Sequence, residues 1–533
     1  MLRTLFIGLD GATFTLLDDL TREVPGEGVA MPALARLMRD GYQALLRSTP
    51  HPLTPPAWVS LMTGRMPGHH GIFDFVRFED RGSDVYWTLS DGLDIQAETI
   101  WTIASRQDRS VVSLNFPMMS PPTPVNGSLI AGFVSWKHLR RNMTPAGLYD
   151  RVKAIPGFNA RELAWDFQRE SQIGEDMTQA EREAWVAHHR PREEQWFRVA
   201  ETLMAEDAPD LFAVMFDGTD KIQHQTWHVL DPRLRPARPT EAFTRLRRMV
   251  LGYYRRLDEY IERLVELAGP QAQVFIASDH GFTASVEVVR INRYLGELGY
   301  LKWQENDGSD TARRREDANF AFLDWSQTLA FCPTPSSNAI CIRVAHDPAM
   351  PGIAAGEYLA FRDRLVNDLR MLNGPDGEPV IADILLREDV FPGPAMNAAP
   401  DLTLVLRDNS FVSVRNREPA VVTRDVVSGT HHPDGIFIAT GPGIAANSER
   451  PLLSIVDVPS TLLYSLDLPV PEDFEGRVPE EAFDPAMRDS RPVTIGPPTH
   501  PVLKHRSSAN VTASDEEREQ IMSQLRALGY LEN

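Results

Sequence analysis

Cysteine is nearly absent from this chain. Its 533 residues hold two, Cys332 and Cys341, with no CxxC pair. A disulfide framework and a cysteine-rich zinc module are therefore excluded, and a reduced compartment is the simplest setting. Long apolar runs are also missing. At the N-terminus, MLRTLFIGLDGATF carries one basic residue, and its short apolar run stops at Asp10. That is too short for a membrane span or a signal peptide and reads as a first buried strand, so a cytoplasmic location with no transmembrane segment is expected. An excess of positive charge is lacking too: 54 basic residues face 74 acidic ones, a formal net charge of -20. Binding to nucleic-acid polymers is not expected of such a surface. An anionic small substrate stays open, because bound cations can reverse the local field.

What is present is ordinary globular composition, 42% hydrophobic and 24% charged, in a chain too long for one simple core. One large domain with insertions, or two domains, is expected. Short apolar runs ending in polar residues or glycine read as parallel central strands: Leu5–Leu9, Val111–Leu114, Leu129–Ala131, Leu211–Phe216, Val274–Ala277, Leu402–Leu406 and Ile436–Ala439. Helical patterns such as Met31–Met38 and the long amphipathic Glu241–Ala268 alternate with them. That alternation predicts an α/β fold, a mostly parallel sheet with helices on both faces and ligands beyond the strand carboxyl ends.

Two regions break the alternation. Residues 135–200 are rich in Trp, Arg and Glu and read as a helical insertion. Residues 285–425, with the charged NDGSDTARRREDAN and the turns TPSS and FPGPAMNAAP, read as an inserted smaller module over the site. The expected organisation is a core of 1–284 and 426–490, a cap of 285–425 that selects the leaving group, and a tail of 491–533. The tail ends in the amphipathic EEREQIMSQLRALGYL. Within the cap, Trp303, Phe320, Phe322, Trp325 and Phe331 are expected to pack a small core rather than stack on a base.

The chemistry-bearing residues are scattered but ordered. In LTPPAWVSLMTG, Thr54 precedes two prolines at a helix start, where its hydroxyl is either a nucleophile at the positive end of a helix dipole or a plain cap. Asp10 closes the first strand before Gly11, again as a cap or a metal ligand. VMFDGTDKIQH places Asp220 and His224 four apart, on one helical face. His228 continues that face as an alternative partner, and Asp217 is read as capping or supporting. IASDHGF offers Asp279 and His280, which reach one ion together only from a turn, for which Gly281 is the candidate. GTHHPDGIF offers His431 and His432. Together Asp10, Thr54, Asp220, His224, Asp279, His280 and His431 supply enough N and O donors for two divalent ions, an arrangement suited to in-line phosphoryl transfer.

The ordered motifs LDG, TPPxWxxxxTGxxPxxHGI, GTDxxQH, SDHGF and SGTHxPDGIFIAxGPGI, with the later IVDVPSTLLYSLDLPVPEDFEGRV, resemble the type I phosphodiesterase/nucleotide pyrophosphatase family of the alkaline phosphatase superfamily. The resemblance covers about residues 1–285 and 425–480. It implies an alkaline-phosphatase-like doubly wound fold with an inserted cap module. It also implies a Thr54 nucleophile that forms a phosphoryl-threonine. One ion would be held by Asp10, Asp279, His280 and Thr54, the other by Asp220, His224 and His431. Zinc is the metal the resemblance implies, with manganese as the alternative. His431 is preferred to His432 on this pattern alone.

One departure concerns the substrate. Nucleotide-hydrolysing members carry an asparagine after the GI turn, where this chain reads GIFDFVRF with Asp74 and Phe75. An ionised Asp74 cannot donate a hydrogen bond to a phosphate oxygen. Sulfatases of the superfamily need CxPxR, and CPTPS at Cys332 lacks the arginine. The expected function is hydrolysis of phosphate diesters or pyrophosphates of a small metabolite, nucleotide or lipid-like headgroup. The alternatives are a phosphomonoesterase or phosphomutase of the same superfamily, or a non-catalytic binding protein with a relic site. Arg47, Arg65 and Lys221, the cations nearest the motifs, are expected at the surface.

Overall fold

A computed structural model of the protein describes residues 2–80, 85–164, 177–304, 323–345, 347 and 350–502. The charged stretch 306–319, Phe320, Phe322 and the amphipathic segment 516–531 lie outside the described residues.

The frame is a nine-stranded sheet. In chain order its strands are β1 (Thr4–Leu9), β2 (Tyr42–Arg47), β3 (Val111–Leu114), β4 (Gly127–Ile130), β5 (Met143–Thr144), β6 (Leu211–Phe216), β7 (Gln273–Ala277), β10 (Asp434–Thr440) and β11 (Leu452–Ser454). Two further strands, β8 (Gly281–Arg290) and β9 (Val421–His432), pair with each other outside it. The spatial order is β11-β2-β10-β7-β1-β6-β3-β4-β5. Strand β1 lies at the centre, parallel to both β6 and β7 and fully buried. Only β5 and β10 run against the common direction.

Side chains alternate across a strand, and β1 divides accordingly. Leu5, Ile7 and Leu9 enter a core shared with α2 (Gln179–Asp207) and α4 (Glu241–Ala268). Phe6 enters the opposite core, with Trp58, Leu61 and Met62 of α1 (Thr54–Thr63). Helices thus cover both faces, as the run-and-gap pattern predicts. Helix α4 has the limits expected from its amphipathic pattern, and its N-cap Thr240 accepts a hydrogen bond from the Phe243 amide.

Two of the expected central strands are placed otherwise. Ile436–Ala439 lies in the sheet as part of β10 but runs antiparallel to β2 and β7. Leu402–Leu406 belongs to a separate antiparallel sheet with Ala330–Phe331, Ala339–Ile342 and Ile381–Leu386, over its own apolar core. Apolarity reports burial on both faces, not strand direction or sheet membership. Strands β2 and β11 were not anticipated; β2 alternates buried and half-exposed residues, which breaks the continuous apolar signal. In the region read as a helical insertion, short helices and α2 are joined by the two-residue β5 at the sheet edge. Trp325 and Phe331 pack edge to face in the second core, with ring centroids 5.0 Å apart.

Candidate metal centre

Beyond the carboxyl ends of β1, β6 and β7, two loops, two helices and one strand bring seven side chains together. Asp10 follows β1, and its amide is held by the Phe216 carbonyl at 3.1 Å. Gly11 turns the chain at φ +65°, where a side chain would be strained and would strike the Phe282 ring. The Gly11 amide donates to Asp279 Oδ1 at 3.1 Å, so the two strand-end carboxylates are locked by one loop.

Asp279 and His280 follow β7 at a bend. Gly281 is not the turn residue expected from the sequence. It opens β8 as a strand residue, and a Cβ there would stand 1.9 Å from the Asp434 carbonyl oxygen. Close approach to β10, not a turn, requires glycine at this place. Helix α3 (Gly218–Leu230) carries Asp220 and His224 one turn apart. His431 arrives on β9 opposite Phe282, and His432, next along the strand, turns away to accept a hydrogen bond from the Asp434 amide.

Two groups of three donor atoms lie within 4.8 Å of one another: Asp10 with Asp279 and His280, and Asp220 with His280 and His431. His224 completes the second group, its Nε2 lying 3.3 Å from Asp220 Oδ1 and 3.1 Å from His431 Nε2. His280 stands between the groups. Its ring stacks on that of His431 with centroids 3.5 Å apart. Thr54 Oγ1 lies 3.4 Å from His280 Nε2. All these residues except His224 are almost wholly buried.

The orientation of the imidazoles is informative. Nδ1 of His224 faces the Gly429 carbonyl at 3.0 Å, that of His280 the Gly281 carbonyl at 3.0 Å, and that of His431 the Pro52 carbonyl at 2.6 Å. A carbonyl can only accept, so each Nδ1 carries the proton and each Nε2 presents a lone pair to the centre. Burial and the neighbouring imidazole hold His280 well below the usual histidine range, and burial lowers His431 likewise. The Nε2 atoms of His224 and His431 lie 3.1 Å apart. Asp10 Oδ1 and Asp279 Oδ2, both buried, accept no hydrogen bond from the described residues.

The carboxylates tell the same story. Burial, then the charges of Asp279 and Asp220, push Asp10 well above the usual carboxylate range, and burial pushes Asp279 up as well. Burial would raise Asp220 too; positive charge on the side of His224 and His431 outweighs it and holds that group well below its ordinary value, and with both imidazoles neutral a bound cation would supply that charge. Inward-facing lone pairs and unneutralised carboxylates are what a bound divalent cation requires, and the backbone partners of the imidazoles are the usual orienting contacts of metal-binding histidines.

Thr54 is the first residue of α1, one past the N-cap Leu53, and its side chain does not cap the helix. Pro55 and Pro56 remove two of the free amides that a helix start normally offers. The dipole remains, but among these first residues only Thr54 keeps an N–H.

Asp217 occupies the N-cap position of α3 but makes no capping bond; its carboxylate is held by Arg192 at 3.1 Å and by the Asn115 amide at 3.1 Å. His228 lies in neither group of donors; burial and Arg182 lower it to about 4. Lys221 is not at the surface as expected: it is buried, its carbonyl accepting from Trp185 Nε1. Arg47 and Arg65 are partly exposed and ion-paired, with Asp434 and with Asp473 and Glu475.

A supporting layer lies beneath α3 that the sequence did not reveal. Arg192 and Glu193 on α2 are buried; Arg192 pairs with Asp217, and Glu193 accepts from the Gly218 amide at 2.8 Å. Thr219 Oγ1 donates to the Asp10 carbonyl at 2.5 Å and Gln223 Nε2 to the Gly11 carbonyl at 2.9 Å. Of these, Thr219 and Gln223 stand inside a recognisable motif, GTDxxQH, and there neither has an assigned role.

Residues 4–434 match the family described as type I phosphodiesterase / nucleotide pyrophosphatase. No curated protein sequence matches the chain. Phosphonoacetate hydrolase from Sinorhizobium meliloti 1021 is similar in structure, with TM-score 0.51 and 16% identity over 87% of this chain and 95% of that one. Murine ectonucleotide pyrophosphatase/phosphodiesterase 5 superposes with TM-score 0.48 and 15% identity over 88% of this chain and 96% of its own. At such identities the likeness is one of fold.

Proposed function

Because the chain belongs to the type I phosphodiesterase/nucleotide pyrophosphatase family, a metal-dependent group of phosphoric ester hydrolases with the alkaline-phosphatase-like α/β fold, we propose that it hydrolyses phosphate diesters or pyrophosphates through Thr54. The observation that carries this reading is the convergence of three Nδ1-anchored imidazoles and three buried carboxylates beside one helix-start threonine.

Asp10, Asp279, His280 and Thr54 would hold one divalent ion, and Asp220, His224 and His431 the other. The donor set, mixed N and O, suits zinc and also accepts manganese. When bound, such a pair supplies charge neutralisation on phosphate and activation of a hydroxyl and of water. The chain's own part is to place and free the nucleophile. Thr54 Oγ1, relieved of a capping role and set at the positive end of α1, attacks phosphorus as one substrate alkoxide leaves, or a phosphate where the substrate is a pyrophosphate, and the leaving oxygen takes up the hydroxyl's proton. A phosphoryl-threonine that still carries the other ester arm results. Water then attacks its phosphorus, releasing the phosphate monoester and restoring the threonine hydroxyl. Burial of the cluster excludes bulk solvent and strengthens each charge contact.

The test is metal content together with turnover of bis-(p-nitrophenyl) phosphate and p-nitrophenyl phosphate by wild type and Thr54→Ala. About two ions per chain and diester cleavage that vanishes in Thr54→Ala would support the proposal. A monoester preference would favour the phosphatase or mutase alternative. Two ions without turnover of either ester would favour a binding protein.

A further inference from the structure

Residues 291–420 connect β8 to β9, and from that connection Phe411 comes up to the metal centre. Its ring packs on His431 at 4.6 Å between centroids, inclined at 73°, and lies 6.3 Å from the His224 ring. Phe282 of β8 meets the same two imidazoles, at 4.8 Å from His224 and 5.4 Å from His431. A bond from Nδ1 to a carbonyl holds one corner of an imidazole and leaves the ring free to tilt about it. The rings packed against it settle that tilt, and with it the aim of Nε2. His431 has the stacked ring of His280 as a further support. His224, whose side chain is 26% exposed, leans on Phe282, Phe411 and His431.

Phe411 is itself fixed through a break in strand pairing. The register of β8 on β9 shifts between Ser285 and Glu287. At that break the Val286 and Glu287 amides donate to Asp408 Oδ2, at 2.9 and 3.3 Å. Asp408 Oδ1 accepts from the Ser410 amide at 2.9 Å, which closes the turn ahead of Phe411. Ser410 Oγ lies 2.8 Å from Ser285 Oγ, and the Asn409 carbonyl accepts from Thr430 Oγ1 at 3.2 Å. The turn is thus stitched to β8 on one side and, on the other, to the residue that precedes His431 on β9. Irregular strand pairing of this kind is a recurrent means of re-aiming a neighbouring side chain.

We infer that Phe411 is a positioning residue for the His224 and His431 imidazoles, held in place by Asp408, so that the β8–β9 connection takes part in binding the ion of Asp220, His224 and His431. The inference rests on the two-ion reading above and adds to it residues that touch no ion. A role in packing alone would weaken both ion sites together. A positioning role acts on the Asp220, His224 and His431 site and spares that of Asp10, Asp279 and Thr54. It also passes through Asp408, whose carboxylate is engaged with Val286, Glu287 and Ser410.

The test titrates the full-length, metal-stripped chain with cobalt(II), reading its visible absorption and, by chelator competition, the affinity of each ion. Wild type is compared with Phe411→Leu, Phe411→Tyr and Asp408→Ala. Leucine keeps apolar bulk and removes the flat ring, whereas tyrosine keeps the ring. In Phe411→Leu and in Asp408→Ala one ion should bind about tenfold or more weakly while the other keeps its wild-type affinity. The cobalt bands that fade should be those missing from His224→Ala, and Phe411→Tyr should stay close to wild type. If Phe411→Leu fails to fold, Asp408→Ala, altered at a half-buried turn residue, carries the same prediction. Wild-type affinity for both ions in the leucine and alanine variants overturns the inference, and so does equal weakening of both. Fewer than two ions in wild type would overturn the two-ion reading and the inference with it. Two ions in wild type without the selective loss would overturn the inference alone.

Discussion

Gln223 on α3 donates a 2.9 Å hydrogen bond to the carbonyl of Gly11, in the turn that fixes Asp10. With the parallel bond from Thr219 to the Asp10 carbonyl, this ties the carboxylate of one donor group to the helix that carries Asp220 and His224. Gln223→Leu leaves that buried carbonyl without its donor, a cost of about 1–3 kcal/mol. It should also weaken uptake of the ion at the Asp10 group about tenfold or more, read by competition with a chromogenic chelator. Loss of stability with unchanged metal affinity would confine Gln223 to folding.

Thr54→Ser keeps a hydroxyl at the head of α1 and should retain measurable diester turnover. Thr54→Ala should lose at least ~10³-fold in kcat. Metal content of Thr54→Ala should stay near two ions, since six other side chains supply the remaining donors. A Thr54→Ala enzyme with near-normal kcat would mean that another group attacks phosphorus.

His224→Ala should remove the most exposed ligand and one of two facing lone pairs. The expected outcome is loss of about one ion per chain, with chelator lowering the Tm of the variant less than that of wild type. Retention of both ions would exclude His224 from the centre.

Glu193, pushed up to about 8 by burial and then by Asp217, makes a pH prediction with a definite sign. An unfolded glutamate titrates near ~4.3. The folded group holds its proton to higher pH, so its contribution to stability is present below ~4.3 and is lost as pH rises toward 8. Glu193→Gln keeps the oxygen that accepts from Gly218 and removes the ionisation. The Tm of the variant relative to wild type should therefore climb between pH 5 and 8 (~3 pH units on the linkage argument). A constant difference across that range would place Glu193 in an environment where ionisation costs nothing.

Much of the centre was legible because its residues sit where chain grammar changes. Asp10, Asp279 and His280 each end a buried run, and Asp220 and His224 share a helical turn. His431 and His432, alike on local grounds, point to opposite faces of β9, and His431 is the one beside Asp220 and His280. The rest was not local. Arg192 meets Asp217 from a different helix, 25 positions away, and Asn115 meets it from 102 away. No periodicity encodes such encounters. Gly281 was misread because a glycine needed for close packing and one needed for a turn look the same in sequence. Lys221 was misplaced because a cation's burial depends on what folds over it; here α2 covers α3.

The place of β10 has a consequence for the edges of the sheet. It lies between β2 and β7 and separates them, although almost four hundred residues part it from the first of these. Without β10, β2 and β7 would share no partner, and each would present a bare edge able to recruit a stray strand. His431 lies three residues before β10 begins, so the strand that fills this gap also anchors one of the candidate donors.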